Sequence, residues 1–244
     1  MFSNFIKNLG RGFGLEIRRH QPHLSFDLAH RSILRKLEIG LVLDVGANTG
    51  QFGKQLRSQY GYGGDIVSFE PSSSARAALQ IAAGRDPRWK VMPYGLGASS
   101  DNLTLNISGN SQSSSLLNML PAHVEAAPDS IYVSTEKVEI RSLDAVIGDL
   151  GGSGRNLLLK LDVQGYEKQV LDGAANTLKF VPAIRVEMSI IPLYQSEMLI
   201  EETLAWMRER GYMLHAMEPN FANPVNGGLM QVDGLFVKST ECGR

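Results

Sequence analysis

The chain has 244 residues, 43% apolar and 20% charged, with a formal net charge of −1; this suits one large α/β domain and excludes a disordered chain or a membrane-spanning run. Its single cysteine, Cys242, has no partner in the chain, which excludes an intramolecular disulfide and fits a reducing cytoplasm. Seven Lys/Arg against Glu16 and Asp27 make residues 1–36 +5 and leave −6 for the remainder, which argues against a nucleic-acid partner for the body of the protein.

In chain order, Phe2, Phe5, Ile6, Leu9 and Phe13 recur at helical spacing with Lys7 and Arg11 between them, which predicts a short amphipathic helix weakened by Gly10, Gly12 and Gly14. Two readings stand for residues 1–20: a peripheral contact with an anionic membrane surface, or an apolar stripe packed on the body, which the glycines favour. The segment has no continuous apolar run and no cleavage pattern of a secretory signal, so a cytoplasmic protein is expected. Residues 1–39 are thus read as a basic, partly helical extension, 40–240 as the main domain and 241–244 as a tail.

From Leu41 the pattern changes to short apolar runs separated by helical stretches, the pattern of a mostly parallel sheet covered on both faces. Strands are predicted at Leu41–Val45, Ile66–Phe69, Lys90–Pro93, Leu157–Leu161 and Ile184–Glu187, and helices near Phe52–Gln59, Ser73–Ala83, Lys168–Leu178 and Glu201–Arg210. An insertion with strands at Leu103–Ile107 and Val138–Ile140 surrounds the Ser-rich stretch Ser111–Ser115, read as a flexible polar loop in a lid. Tyr212–His215 and Leu235–Val237 are predicted as an antiparallel terminal pair joined by a loop over Glu218–Gly228.

The strongest local signal is LVLDVGANTG, Leu41 to Gly50: an apolar strand, an acid at its end and a tight turn opening a helix. Gly46 permits close backbone approach, and the helix N-terminus would offer unpaired N–H groups to a carboxylate. Asp44 is placed to meet an ammonium group. Asn48 stands where a dinucleotide fingerprint has its second glycine, which disfavours a pyrophosphate and an NAD-dependent oxidoreductase. Glu70 in SFEP, ending the second strand, is placed to accept ribose hydroxyl protons.

NLLLKLDVQGYE, Asn156 to Glu167, repeats the strand-then-acid arrangement, so Asp44, Glu70, Asp162 and Glu187 are expected to converge beyond the carboxyl edge of the sheet. Asp162 has a structural alternative, a helix cap or an ion pair with Lys160 or Lys168; Glu187 reads equally as a structural hydrogen-bonding group. His20, His23 and His30 do not have zinc spacing, and His215 reads as structural.

DVGANTGQF, SFEP, LKLDVQGYE with VLDG, RVEM and DGLFV occur in that order between Leu41 and Lys238, and in this the chain resembles the FkbM family of S-adenosylmethionine-dependent O-methyltransferases. The resemblance implies a single Rossmann-like class I methyltransferase domain, with the donor over Asp44, Gly46, Ala47, Asn48, Gly50, Glu70 and Pro71. It implies methylation of a hydroxyl on a sugar, glycolipid or polyketide-type product and directs attention to Asp162 near the transferred methyl; Glu187, closing the RVEM strand, is read from its position as a second catalytic candidate. Asp162 would act as base, hydroxyl-orienting group or metal ligand, the first two being preferred. The rival function is a binding or regulatory module that keeps the cofactor pocket without catalysis.

Overall fold

A computed structural model of the protein describes residues 12, 13 and 25–241. Most of the amphipathic stripe, His20, His23 and Cys242 lie outside the described residues. The elements, in order, are α1 Phe26–Lys36, β1 Leu41–Val45, α2 Gln51–Ser58, β2 Asp65–Phe69, α3 Ser73–Ala83, β3 Trp89–Met92, β4 Gly95–Leu96, β5 Asp101–Ser108 and α4 Pro121–Ala126. They continue with β6 Tyr132–Arg141, α5 Leu143–Val146, β7 Leu157–Leu161, α6 Glu167–Asp172, β8 Ala183–Ser189, α7 Ile200–Glu209, β9 Tyr212–Ala222 and β10 Leu229–Lys238.

Seven strands form one sheet in the order β3-β2-β1-β7-β8-β10-β9. The first five are parallel, and β10 runs antiparallel to both β8 and β9. This is the expected Rossmann-like sheet with its antiparallel terminal pair. β1 and β7 are buried along their whole length because helices cover both faces. Leu41, Leu43, Val45, Leu157, Leu159 and Leu161 belong to the core on one face, while Val42, Ile66 and Leu158 pack on the other with Phe26, Ile33 and Leu56. Ser25 caps α1 by accepting the Leu28 N–H, and Asp27 in the first turn with Arg35 and Lys36 in the last suit the helix dipole.

Three expectations change. The helix predicted over Lys168–Leu178 ends at Asp172 and resumes as a 3₁₀ turn, Thr177–Phe180. Gly173 abuts the Gly97 carbonyl so closely that no Cβ fits, and Asp144 accepts the N–H groups of Asn176 and Thr177 at 2.9 and 2.7 Å. The terminal pair is far longer than predicted, with only residues 223–228 left as a turn. Glu218, Asn220, Gln231 and Asp233 look like loop residues, yet they extend the strands because their side chains meet buried polar partners at the site.

The Ser-rich stretch is also more than a flexible loop. Asn110 Oδ1 accepts the Ser113 N–H at 3.0 Å, and Ser113 and Ser115 are buried. β5 and β6 pair along nearly their whole length in a second, three-stranded sheet, β4-β6-β5. The segment between them is fastened to the loop after β8 by the Leu120 N–H donating to the Leu193 carbonyl at 2.8 Å and the Gln195 N–H to that of Asn118 at 2.8 Å. The insertion therefore roofs the carboxyl edge of the main sheet. Among the described residues no helix is long and apolar enough to cross a membrane.

Candidate active site

A cleft of about 480 Å³ lies over the carboxyl ends of β1, β2, β7 and β8, within the range of small-ligand sites. One half is lined by Gly46, Ala47, Asn48, Glu70, Pro71 and Leu96; Asp162, Gln164, Glu187, Asn220 and Asp233 line it as well. Ser111, Gln112, Ser114 and Ser115 contribute from the roof.

The turn after β1 is shaped by backbone requirements. Gly46 has φ +74°, and a Cβ there would overlap the Asp162 carbonyl oxygen, so the ends of β1 and β7 touch through backbone. Asn48, at φ +46°, donates its N–H to Glu70 Oε2 at 2.7 Å, and Ser72 donates to Glu70 Oε1 at 2.9 Å. Burial raises the Glu70 pKa to about 7 against the lowering effect of these two N–H groups. Each Glu70 oxygen keeps acceptor capacity, and Asn48 Oδ1 is buried with no hydrogen-bond partner.

Two of the expected donor-binding residues sit elsewhere. Asp44 is fully buried and does not line the cleft; it accepts from the Ser68 hydroxyl at 3.0 Å and pairs with Lys160 at 3.2 Å. Its charge is met inside the sheet by the Lys160 ammonium. Gly50 is the N-cap of α2, packed against Leu79 and Trp89 rather than on the cleft. In the turn ahead of α2 the Asn48 N–H serves Glu70 and the Thr49 N–H serves Gln51 Oε1, so these two groups are engaged within the protein.

Asp162 and Glu187 both line the cleft. Asp162 is 36% exposed in its side chain and pairs with Lys160 at 3.4 Å, so the expected ion pair and a cleft-facing position coexist. Glu187 is buried, accepting from Asn220 Nδ2 at 2.6 Å, Gln164 Nε2 at 2.7 Å and Gln231 Nε2 at 2.8 Å. Burial, with the nearby Asp162 and Asp233 carboxylates, pushes its pKa well above the usual carboxylate range.

Beneath the cleft a polar row crosses the sheet in register: Ser68 beside Asp44, Asp44 beside Lys160, Lys160 beside Arg185. Trp89 Nε1 donates to Ser68 Oγ at 2.9 Å, extending the row to β3. Lys160 Nζ also donates to the Gly46 carbonyl at 2.9 Å. Burial lowers the Lys160 pKa, but the Asp162 and Asp44 carboxylates outweigh it and hold the ammonium at about 12. Arg185 lies between the rings of Phe26 and Phe52, at 5.0 and 5.1 Å, and pairs with Asp233 at 3.0 Å. The sequence carried a signal for these groups, in the charges set inside the apolar strands LLLKL, AIRVEMS and MQVDGLFV.

The histidines stay apart from this chemistry. His30 is buried against Tyr60, Phe52 and Phe26, and burial lowers its pKa to about 3. His215 lies on β9 and does not line the cleft. Among the described residues no group of three or more His, Cys, Asp or Glu is placed to hold a metal ion.

The sequence profile described as "Methyltransferase FkbM domain" matches residues 44–214. In fold the chain is similar to an rRNA methylase from Streptococcus thermophilus, with 9% identity over 91% of this chain and 99% of that one, at a TM-score of 0.45. It is similar to the magnesium protoporphyrin IX methyltransferase of Synechocystis, with 11% identity over 91% and 87% and a TM-score of 0.45. Fibrillarin from Aeropyrum pernix aligns at 9% identity over 81% and 66%, with a TM-score of 0.47. No curated protein matches the chain.

Proposed function

Because the chain belongs to the FkbM methyltransferase family, we propose that it transfers the methyl group of S-adenosylmethionine to a hydroxyl oxygen of a sugar, glycolipid or related natural product. One observation carries this reading: a nucleoside-type cradle at Asn48 and Glu70 and a partly exposed carboxylate at Asp162 line the same cleft. The cradle suits the donor because Glu70 retains acceptor capacity for ribose hydroxyls and Asn48 Oδ1 is a buried acceptor in need of a donor. Pro71, Leu96, Leu105 and Ile140 supply apolar surface for a base.

When bound, the donor supplies a sulfonium-activated methyl carbon, whose transfer forms an O–C bond as the C–S bond breaks and its electron pair stays on sulfur. The chain's part is to hold the acceptor oxygen in line and to take its proton. Asp162 takes the proton, and Lys160 beneath it fixes the carboxylate. Alignment of this kind supplies up to about 7–11 kcal/mol, whereas a general base contributes about 10²–10⁴-fold, so the cleft's geometry outweighs the base. The carboxamides of Gln51, Gln55, Gln59, Gln112 and Asn220 on the cleft wall suit a hydroxyl-rich acceptor, since each both donates and accepts hydrogen bonds.

The test is a screen with isotope-labelled methyl donor across sugars, glycolipids and polyketide-like alcohols. Label is expected on an acceptor oxygen. Label recovered on nitrogen or carbon, or on no acceptor while donor binds, would overturn the reading.

A further inference from the structure

Gln164 sits at the centre of the site in a conformation disfavoured for a residue with a side chain. Its φ is +56°, it is buried, and it follows β7 by three residues. The two protons of its carboxamide nitrogen are divided between the two strand-end acids: Nε2 donates to Asp162 Oδ1 at 2.9 Å and to Glu187 Oε2 at 2.7 Å. On its other side, Oε1 accepts the Tyr194 hydroxyl proton at 2.7 Å. A carboxamide turned over would set Oε1 against two carboxyl oxygens, so the partners select one orientation.

The shell around it is equally determined. Ser115 of the roof donates its hydroxyl to the Gln164 carbonyl at 2.6 Å, and the same Oγ accepts the Leu117 N–H at 3.0 Å. The Tyr194 ring is fully buried and meets the His123 ring edge-on, with centroids 5.1 Å apart. Glu187 has its remaining oxygen held by Asn220 at 2.6 Å. With Glu187 held by three carboxamides and Tyr194 buried, Asp162 is, among the described residues, the one partner of Gln164 that reaches partly into solvent.

We infer that Gln164 is a positioning residue for methyl transfer: its carboxamide, locked by Tyr194, aims the Asp162 carboxylate at the acceptor hydroxyl and holds it apart from Glu187. The inference rests on the reading of Asp162 as the proton acceptor. Gln164 is not itself a proton acceptor in the reaction; it acts through Asp162, and that gives a test a purely structural role would fail.

The test is a double-mutant cycle on kcat for labelled methyl transfer at saturating donor, with product-nucleotide affinity measured by calorimetry for each variant. Gln164→Met keeps the side-chain length and removes the amide; it is expected to lower kcat by about 10–10²-fold, as misplacement of a reacting group does, with nucleotide affinity changed by less than about twofold. Asp162→Asn is expected to lower kcat by about 10²–10⁴-fold. Adding Gln164→Met to Asp162→Asn should cost almost nothing more, because the group it aims has already lost its basicity. Tyr194→Phe keeps the buried ring and should lower kcat by a few fold; it carries the test if Gln164→Met does not fold. Equal losses from Gln164→Met in both backgrounds, or wild-type kcat in either Gln164→Met or Tyr194→Phe, would overturn the inference and leave the methyltransferase reading intact. A wild-type protein that binds donor yet methylates no hydroxyl would overturn both.

Discussion

The backbone N–H of Asn48 donates to Glu70 Oε2 at 2.7 Å, so the turn after β1 and the end of β2 form one unit. Glu70 is thereby aimed into the cleft, but burial raises its pKa to about 7. A protonated carboxyl cannot accept from two ribose hydroxyls and both backbone amides. Affinity for S-adenosylhomocysteine is therefore expected to increase as pH rises from about 6 to 8, as Glu70 ionises. Glu70→Gln should bind more weakly at pH 8 and lose this pH dependence. Calorimetry across that range checks it, and a flat wild-type profile counts against Glu70 as the ribose acceptor.

The stability of the protein should carry a related signature at Glu167. It is buried on the first turn of α6, accepts the Val163 N–H at 2.9 Å, and burial raises its pKa to about 7. A carboxyl with a raised folded-state pKa contributes stability that is complete below its unfolded value, about 4.3, and is lost as pH rises through 7. Glu167→Gln preserves an acceptor for Val163 and cannot ionise. The thermal midpoint of the variant relative to wild type should therefore climb between pH 5 and 8; a constant difference would show that Glu167 does not titrate in that window.

The strand runs, the turn residues Gly46 to Gly50, and the strand-end acids Glu70 and Asp162 were legible in sequence because each depends on local order, an apolar run and then a polar residue at its end; Glu187 was legible as an acid on the strand, although β8 continues past it to Ser189. Asp44 was misplaced for the same reason. It too stands near a strand end, but whether such an acid faces ligand or core depends on what lies in register across the sheet, and Lys160 is 116 positions away in the chain. Gln231 and Asp233 were hidden because polar residues inside a strand look like loop until the buried partners Glu187 and Arg185 are in place. Gln164 lay inside the quoted motif, yet its partner Tyr194 belongs to a loop that the sequence left unassigned.

The Asp44–Lys160 pair should matter for stability. Lys160 is the cation shared by two carboxylates, at 3.2 Å from Asp44 and 3.4 Å from Asp162. Removing one partner of a buried pair leaves uncompensated charge and costs about 3–5 kcal/mol. Lys160→Met should lower the urea midpoint accordingly, and adding Asp44→Asn should recover part of the loss because the orphaned buried charge is removed. If the double variant is less stable than Lys160→Met alone, Asp44 is not left as a costly unpaired charge when Lys160 is removed.

Gly46 gives the sharpest link between fold and site, because it is where the turn after β1 and the end of β7 that carries Asp162 meet. Its φ of +74° is costly for any other residue, by about 1–3 kcal/mol, and a Cβ would in addition overlap the Asp162 carbonyl oxygen and crowd Val163. Backbone cannot give way as a flexible side chain would, so β1 and β7 must separate at their carboxyl ends or the turn must rebuild. Either response moves Asp162 relative to Asn48 and Glu70, and it breaks the Lys160 bond to the Gly46 carbonyl at 2.9 Å. Gly46→Ala is expected to lower the thermal midpoint and to weaken S-adenosylhomocysteine binding together. A neighbouring control separates the two causes: Gly61 also has positive φ, at +63°, but a Cβ there meets nothing within 4 Å. Gly61→Ala should lose stability from backbone strain alone and keep nucleotide affinity. Equal nucleotide affinity in Gly46→Ala and wild type would mean that the contact between the β1 turn and the end of β7 does not shape the donor site.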